Sequence, residues 1–237
     1  MIPAYCMTME VWDPNFLGSL ATEHKVVVFD NRGIGETGAG TKEFTIDQFG
    51  DDTAGLIRAL GYKQADVLGW SIGGDIALSL VVHHPDVVNR LVSDAGDCGG
   101  TQKVDAPKYK QVLKQLKDVQ GPMKDVLGAL FPAWWMEAYP DFWKDFVYPR
   151  EKASLDSVAK QDHAYNVWSG VYDQLPDIRK PVLVVTGNED VSTPPRNANI
   201  LASRIPGSII CTRSASRTSC SITLSRSFST TGHFSIT

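Results

Sequence analysis

One serine of this chain lies in a setting that could make it a nucleophile. Residues 69–74 (GWSIGG) follow a short apolar run and precede a pattern with one apolar helical face. Glycines beside a serine permit a tight, strained turn in which a neighbouring Cβ would clash with the strand or the helix. At the helix N-terminus, backbone N–H groups and the helix dipole favour a developing oxyanion. The pattern predicts a nucleophilic Ser71; the alternative is a structural turn whose serine only caps the helix.

A carboxylate that could support such a nucleophile follows a later apolar run. Asp190 lies just beyond residues 181–186 (PVLVVT). A carboxylate on that loop can hold the tautomer of a histidine and stabilise its imidazolium form. The alternative for Asp190 is a solvated loop acid, or a cap for the helix that begins near Pro194. The position of Asp190 just after a buried run favours a part for it in a Ser-His-Asp type of mechanism.

A glycine-rich stretch suggests a different chemistry. Residues 33–38 (GIGETG) match the G-x-G-x-x-G pattern of dinucleotide-binding sites and follow an apolar run. In such a site the pyrophosphate lies at the N-terminus of the next helix. The next helix cap in this chain is Thr45, several residues too far along the chain for a pyrophosphate bound at the glycines to reach the helix N-terminus. We therefore do not expect a dinucleotide site, and we expect no metal and no organic cofactor. Asp30 and Arg32 are expected to brace this turn by hydrogen bonding.

The strands that must position these residues are visible as short apolar runs. Continuous β-branched runs, rather than alternating ones, are typical of parallel strands covered on both faces. Four such runs occur, at residues 26–30, 65–70, 90–93 and 181–186. Helical patterns at residues 45–60 and 73–83 lie between them, and the first opens on a capping box. This alternation predicts an α/β fold with a mostly parallel sheet flanked by helices.

The alternation of strands and helices is interrupted in the middle of the chain. Residues 99–176 include, at positions 131–148, eight of the chain's 22 aromatic residues. Such a stretch predicts a helical cap, or lid, inserted into a core made of residues 1–98 and 177–207. For any one of the aromatic residues, packing inside the cap is as good an explanation as contact with a ligand.

Three motifs in order carry a resemblance to a known family. They are residues 30–35 (DNRGIG), 70–74 (WSIGG) and 186–190 (TGNED). These stretches resemble turns of the α/β-hydrolase fold family, in its serine-nucleophile, esterase- or lipase-like branch, over about residues 1–207. The resemblance implies that Ser71 is the nucleophile and Asp190 the triad acid, with Asp94 or Asp97 as weaker alternatives for the acid. Epoxide hydrolases and haloalkane dehalogenases are disfavoured because they would have Asp at position 71.

The beginning of the chain departs from the family pattern. The resemblance places residues 4–6 (AYC) at the oxyanion loop, with Ala4 where the family commonly has a glycine. The backbone N–H groups of Tyr5 and Ile72 then become the two donors of the oxyanion hole. Residues 1–3 are all that remains of the preceding central strand, so we expect an N-terminally truncated fold with unpartnered backbone groups beside residues 26–30 and 65–70.

The catalytic histidine is the weakest point of the resemblance. It should follow the last strand, expected at about residues 208–212, on a loop near residues 213–218 (RSASRT), which contains no histidine. His233, in the sequence TGHF, resembles the family's G-H-hydrophobic signature and is the candidate base, although it lies four residues from the end of the sequence. The other four histidines, His24, His83, His84 and His163, are expected at the surface, at helix ends or in the cap.

The charge of the chain changes abruptly near its end. Residues 1–190 hold all 27 acidic and 18 of the 23 basic residues, whereas residues 191–237 hold five Arg and no Asp, Glu or Lys. Half of the last thirty residues are Ser or Thr, a composition that does not favour packing. We therefore expect residues 208–237 to be an atypical, disordered tail, and hypothesise that it is translated out of frame or replaced.

The overall composition excludes several classes of protein. A net charge of −4 and a pI of about 5.7 argue against a basic surface that binds nucleic acid. No apolar run is long enough to cross a membrane, and the first residues lack the features of a signal peptide. Four cysteines without framework spacing favour a reduced compartment. We expect a cytoplasmic protein that acts on a small molecule, and the oligomeric state stays open.

These observations support one activity and one alternative. The predicted activity is hydrolysis of an ester or related acyl bond of a small, partly apolar substrate. The alternative is a non-catalytic or defective hydrolase-like protein that lacks a working catalytic histidine.

Overall fold

The strands and helices of the chain alternate as the sequence predicts. The computed structural model describes residues 1–106, 133–141 and 153–213, together with the backbone of residues 220–224. Two 3₁₀ turns occupy Met9–Val11 and Leu175–Asp177. The helices and strands, in chain order, are α1 (Pro14–Ala21), α2 (Ile46–Ala59), β1 (Ala65–Trp70), α3 (Ile72–His83), β2 (Val88–Asp94), α4 (Ala133–Ala138), α5 (Leu155–Val167), β3 (Val182–Gly187), α6 (Pro195–Arg204), β4 (Ile209–Arg213) and β5 (Cys220–Leu224).

The described strands form one mixed sheet in the order β1-β2-β3-β4-β5. The first four strands are parallel, and β5 pairs antiparallel with β4. Parallel register places Trp70 beside Asp94, and Asp94 beside Val185, so the carboxyl ends of β1, β2 and β3 meet at one edge. The predicted fold class, a mostly parallel sheet flanked by helices, is confirmed.

The predicted run at residues 26–30 does not form a strand. Among the described residues, its one backbone hydrogen bond is from the Met1 ammonium group to the Val27 carbonyl oxygen (2.7 Å). Ile2 lies between this run and β1: its N–H donates to the Leu68 carbonyl, and its carbonyl accepts from the Trp70 N–H. A single bridge residue cannot sustain a ladder along five residues, which explains why this β-branched run forms no strand.

The helices that cover the sheet begin where their side chains can cap them. The Thr45 hydroxyl accepts a hydrogen bond from the Gln48 N–H (2.9 Å) and opens α2, as the capping box predicts. Helix α3 is apolar on nearly all sides and is buried from Ile72 to Val81 between the sheet and α2. The core therefore lies directly behind the turn that carries Ser71.

The segment expected to be a disordered tail begins with regular structure. Ile209–Arg213 is β4, and its residues Ile210 and Cys211 are buried. The strand forms because β3 offers an open parallel edge, which pairs from Leu183 to Gly187. β4 matches the strand expected at about residues 208–212. The expectation of a disordered tail over residues 208–237 is therefore wrong for β4, and the backbone of Cys220–Leu224 extends the same sheet.

The two ends of the predicted cap are held together at the core surface. The Val171 N–H donates to the Cys98 carbonyl (2.8 Å), and the Gly100 N–H donates to the Trp168 carbonyl (3.4 Å). A Cβ on Gly99 would lie 2.6 Å from the Gly170 Cα, so the two chain segments at the ends of the predicted cap are in direct backbone contact. Half of the aromatic stretch, residues 131–132 and 142–148, lies outside the described residues.

The junction of β1 and α3 depends on two glycines. A Cβ on Gly69 would collide with the backbone carbonyl of Gly73, and a Cβ on Gly73 would collide with the carbonyl of Ile2. These neighbours are backbone atoms that cannot rotate away, so no side chain fits at either position.

We expect Gly69→Ala to lower the free energy of unfolding by about 3 kcal/mol or more, because the strand and the helix must separate. Gly55→Ala is the matched control, since Gly55 is exposed in α2 with no atom within 4 Å of its Cβ position. That control should raise stability by about 0.5–1 kcal/mol. Urea unfolding of both variants makes the comparison, and equal effects would contradict the close-approach argument.

Candidate active site

Ser71 has a backbone conformation that L-residues adopt only under constraint. Its φ and ψ are 56° and −123°, between the end of β1 and the first turn of α3. The Ser71 N–H donates to the Asp94 carbonyl (2.8 Å), and its carbonyl accepts from the Gly74 N–H (2.7 Å). Such a conformation costs about 1–3 kcal/mol and persists where the surrounding structure enforces it, as is common at catalytic sites. In this structure the Ser71 side chain makes no cap hydrogen bond to α3, which argues against a purely capping role.

The predicted oxyanion loop lies beside this turn. Ile2 pairs with Gly69, and the chain then turns at residues 4–7, where the Met7 N–H donates to the Ala4 carbonyl (3.1 Å). Ile72 is the first residue of α3, so its N–H has no acceptor within the helix. The topology therefore brings the loop of Tyr5 and the helix end of Ile72 to the same side of β1.

The Tyr5 side chain points away from the strand and toward α5. Its hydroxyl lies 3.4 Å from an Asp162 carboxylate oxygen and 3.5 Å from the Val158 carbonyl. Burial, together with the neighbouring Cys6 and Asp162, raises the pKa of the Tyr5 hydroxyl, which stays neutral. Only the backbone of Tyr5 is then available to a reacting group.

Asp190 lies on the loop after β3, as predicted. One oxygen of its carboxylate accepts hydrogen bonds from the backbone N–H groups of Ser192 and Thr193, both at 2.8 Å. Burial raises the pKa of Asp190, and these two N–H donors partly oppose the rise. The loop thus orients the carboxylate through its own backbone.

A second carboxylate shares the edge of the sheet with Asp190. Burial raises the pKa of Asp94 to about 6; the Arg213 charge opposes this rise, and the Asp190 charge adds to it. Asp97 is engaged elsewhere: its carboxylate accepts from the Gly99 N–H (2.7 Å) and the Tyr165 hydroxyl (3.1 Å). Of the two alternative acids, Asp94 is therefore the one that interacts with Asp190.

Two of the four described histidines lie far from Ser71. His83 and His84 are at the C-terminal end of α3, which at a rise of about 1.5 Å per residue is roughly 18 Å from Ser71. His24 and His163 are exposed, on the chain after α1 and on α5. His233 and most of the loop that follows β4 lie outside the described residues, so the predicted base stays a prediction.

A second group of Ser, His and Asp side chains is structural. The Ser79 hydroxyl donates to an Asp47 carboxylate oxygen (2.6 Å) and lies 3.2 Å from His83 Nδ1. The Trp168 indole N–H donates to the same Asp47 oxygen (3.2 Å). Ser79 is 0% exposed inside α3, so no substrate can approach its hydroxyl. This group connects α2 and α3 to Trp168, at the end of the predicted cap.

The glycine-rich stretch at residues 33–38 is braced as predicted. The Asp30 carboxylate accepts from the backbone N–H groups of Met9 (2.5 Å) and Glu36 (3.3 Å). Arg32 forms a two-pronged ion pair with Asp52 and donates to the Ala39 carbonyl (2.8 Å). Arg32 thereby fixes the loop against α2.

Two buried polar contacts near the site are not predicted by the sequence patterns. The Gln161 side chain of α5 accepts a hydrogen bond from the Cys6 N–H, and Asp75 of α3 accepts one from the Asp97 N–H (2.7 Å). Asp75 is the only carboxylate in α3, a signal that an apolar helix contains an interior polar contact. Gln161 carries no such signal, because α5 has a mixed composition.

No group of three or more His, Cys, Asp or Glu within the described ranges is arranged to hold a metal ion. In the same part of the chain, no helix combines the length and the apolar character that a membrane crossing requires.

Comparison with known proteins gives matches to hydrolases and to the alpha/beta hydrolase fold. A family model described as alpha/beta hydrolase fold matches residues 1–234. The chain is 27% identical over 218 residues to "Putative carbamate hydrolase RutD" of Caulobacter sp. (strain K31), covering 84% of this chain and 75% of that protein. It is 29% identical over 188 residues to a pimeloyl-acyl-carrier-protein methyl ester esterase of Neisseria meningitidis serogroup B, covering 70% of this chain and 65% of that one.

Solved structures match the same architecture. An alpha/beta hydrolase fold protein from Chitinophaga pinensis superposes with a TM-score of 0.75 at 22% identity, covering 90% of this chain and 81% of that one. A thermophilic esterase from Thermogutta terrifontis superposes with a TM-score of 0.73 at 22% identity, covering 90% and 79%. At this level of identity the likeness shows the fold alone.

The raised pKa of Asp94 makes a prediction about stability. A carboxyl whose folded pKa is about 6 and whose ordinary value is 3.8 holds its proton more tightly when folded, so stability is lost as the pH rises through this window. We expect Asp94→Asn to raise the free energy of unfolding at pH 7 by roughly 1–3 kcal/mol, and by much less at pH 4.

Urea unfolding at both pH values measures this difference. Asp173→Asn is the control, because Asp173 is exposed and a neutral side chain there should change little at either pH. A stabilisation by Asp94→Asn that is equally large at pH 4 would contradict the assignment to ionisation.

Proposed function

The chain belongs to the alpha/beta hydrolase fold family, and on that premise we propose that it is a serine hydrolase that cleaves an ester or related acyl bond. The observation that carries this proposal is the constrained backbone of Ser71, at φ 56° and ψ −123°, beside the free end of α3. A serine that only capped the helix would not need this conformation and would bond to the first turn.

The proposed reaction begins with attack of the Ser71 oxygen on the substrate carbonyl carbon. A histidine, for which His233 is the candidate, takes the hydroxyl proton and returns it to the leaving group as the bond to that group breaks. Water then attacks the acyl-serine, its proton passes to the same histidine, and Ser71 is regenerated with release of the acid. Asp190 orients the histidine and stabilises its cationic form.

The negative charge of each tetrahedral intermediate requires fixed donors. The backbone N–H groups of Tyr5 and Ile72 are the proposed pair, since the loop and the helix end lie on the same side of β1. Losing one donor of this kind typically costs about 10²–10³-fold in kcat.

The proposed substrate is a small molecule with an apolar acyl or aryl part. The aromatic residues of the predicted cap favour apolar contact. The names of the relatives, a carbamate hydrolase and a methyl ester esterase, are consistent with an acyl bond to oxygen or nitrogen. The proposed reaction uses protein groups alone.

A specific observation favours a second candidate, a hydrolase-like protein without a working base. β4 ends at Arg213, and residues 214–218, where the resemblance would place the histidine, contain no histidine. The Arg213 charge already acts on Asp94 at this edge. In that case Ser71 would lack a proton acceptor although its turn kept the same backbone geometry.

We expect Ser71→Ala to abolish labelling by a fluorophosphonate probe and to lower the turnover of a p-nitrophenyl ester by at least about 10³-fold, because the nucleophile is removed. The matched control is Ser203→Ala, at an exposed serine of α6, which should leave both unchanged. Turnover that survives Ser71→Ala would refute the proposed mechanism.

We expect His233→Ala to lower ester turnover by about 10³-fold as well, since the proton acceptor is lost. His163→Ala, at an exposed position of α5, is its control and should have no effect. Turnover that depends on Ser71 but not on His233 would assign the base to another group, and turnover absent from the wild-type protein would favour the second candidate.

A further inference from the structure

Helix α5 contains a polar side chain that simple packing does not explain. Gln161 is 0% exposed, and its Oε1 accepts a hydrogen bond from the Cys6 N–H (2.5 Å). Its Nε2 is buried and has no partner among the described residues. A buried amide with unmet N–H groups is costly, and an apolar residue of the same size would avoid that cost. The feature that Gln161 supplies is therefore its acceptor oxygen.

The group that this oxygen holds is itself under constraint. Cys6 has a φ of 53°, in the left-handed region that non-glycine residues seldom adopt. It is the third residue of the turn closed by the Met7 N–H and the Ala4 carbonyl. Without a partner for its N–H, this residue would gain by relaxing to an ordinary backbone angle. The Gln161 contact opposes that relaxation.

The constraint passes directly to a residue of the proposed site. The Cys6 N–H belongs to the peptide unit that joins Tyr5 and Cys6, and the N–H of Tyr5 belongs to the unit before it. Because peptide units are planar, the unit that carries the Tyr5 N–H can turn relative to the fixed Tyr5–Cys6 unit only through the φ and ψ angles of Tyr5. The direction of the Tyr5 N–H is thereby coupled to Gln161.

Helix α5 is held against the core by contacts on both sides of Gln161. One turn before Gln161, the Ser157 hydroxyl packs against Gly33, where an added Cβ would lie 3.0 Å away. One turn after it, the Tyr165 hydroxyl donates to Asp97 at the edge of the core (3.1 Å). Gln161 therefore approaches Cys6 from a helix that is fixed on both sides.

We propose that Gln161 is a positioning residue that holds the turn at residues 4–7 in the geometry the oxyanion donor requires. Docking of α5 on the core then completes the oxyanion hole, although α5 itself contributes no group that touches the substrate. The catalytic part of this proposal rests on the proposed function, whereas the contact between α5 and the turn does not.

Three variants separate positioning from packing. Gln161→Met removes the acceptor but keeps the volume, and Gln161→Asn withdraws it by one methylene. Gln161→Glu keeps an oxygen facing the Cys6 N–H in either protonation state and replaces the unpartnered NH2 group by a second carboxyl oxygen. Asn166→Ala, at an exposed residue of the same helix, is the control.

In p-nitrophenyl butyrate hydrolysis, we expect Gln161→Met and Gln161→Asn to lower kcat by about 10-fold and to change KM by less than about twofold. Gln161→Glu should retain kcat within about twofold, even where its melting temperature falls because a carboxyl is buried. Loss of kcat in all three variants, or in none, would overturn the proposal, as would a change confined to KM.

Amide hydrogen exchange followed by mass spectrometry gives a readout that needs no activity. Exchange in the peptide containing residues 4–8 should be at least about 10-fold faster in Gln161→Met than in the wild type, and unchanged in Gln161→Glu and Asn166→Ala. Unchanged exchange in Gln161→Met would overturn the proposed contact. If the wild-type protein has no esterase activity, the proposed function fails, while exchange still decides whether Gln161 holds the turn.

Discussion

The architecture of this protein depends on a contact between backbones at the start of α3. Gly69 and Gly73 face each other across the turn of Ser71, and the carbonyl of Ile2 fills the space in front of Gly73. Three chain segments therefore meet with no side chain between them. This contact sets the angle at which α3 leaves the sheet, and the core then forms against its apolar surface. The strain at Ser71 is sustained because these neighbours leave it no room to relax.

Electrostatic features of the site follow from the parallel sheet. Parallel strands bring their carboxyl ends to one edge, so Asp94 and the loop of Asp190 become neighbours although they are far apart in sequence. Burial makes both carboxyls harder to ionise, and Arg213 at the end of β4 opposes that effect for Asp94. The edge thus gathers ionisable groups at partly buried positions, where each charge acts on its neighbours more strongly than it would in bulk water.

Local patterns predicted the parts of the fold that depend on neighbours in sequence. The cap at Thr45, the strand at Ala65–Trp70 and the constrained serine all follow from residue types within one short window. Residues 26–30 show where this fails: a β-branched run makes a strand only if another segment supplies hydrogen bonds. Gln161 illustrates the same limit, because its partner Cys6 is 155 residues away and no local pattern reports such a pairing.

The close approach of Gly99 and Gly170 has an evolutionary consequence. The chain leaves and re-enters the core at almost the same point, joined there by backbone hydrogen bonds. The distance between those two points therefore does not depend on how many residues lie between them. The length of the chain between these points can therefore change without moving the core elements apart, provided that α5 keeps its contacts with the turn at residues 4–7 and with Asp97.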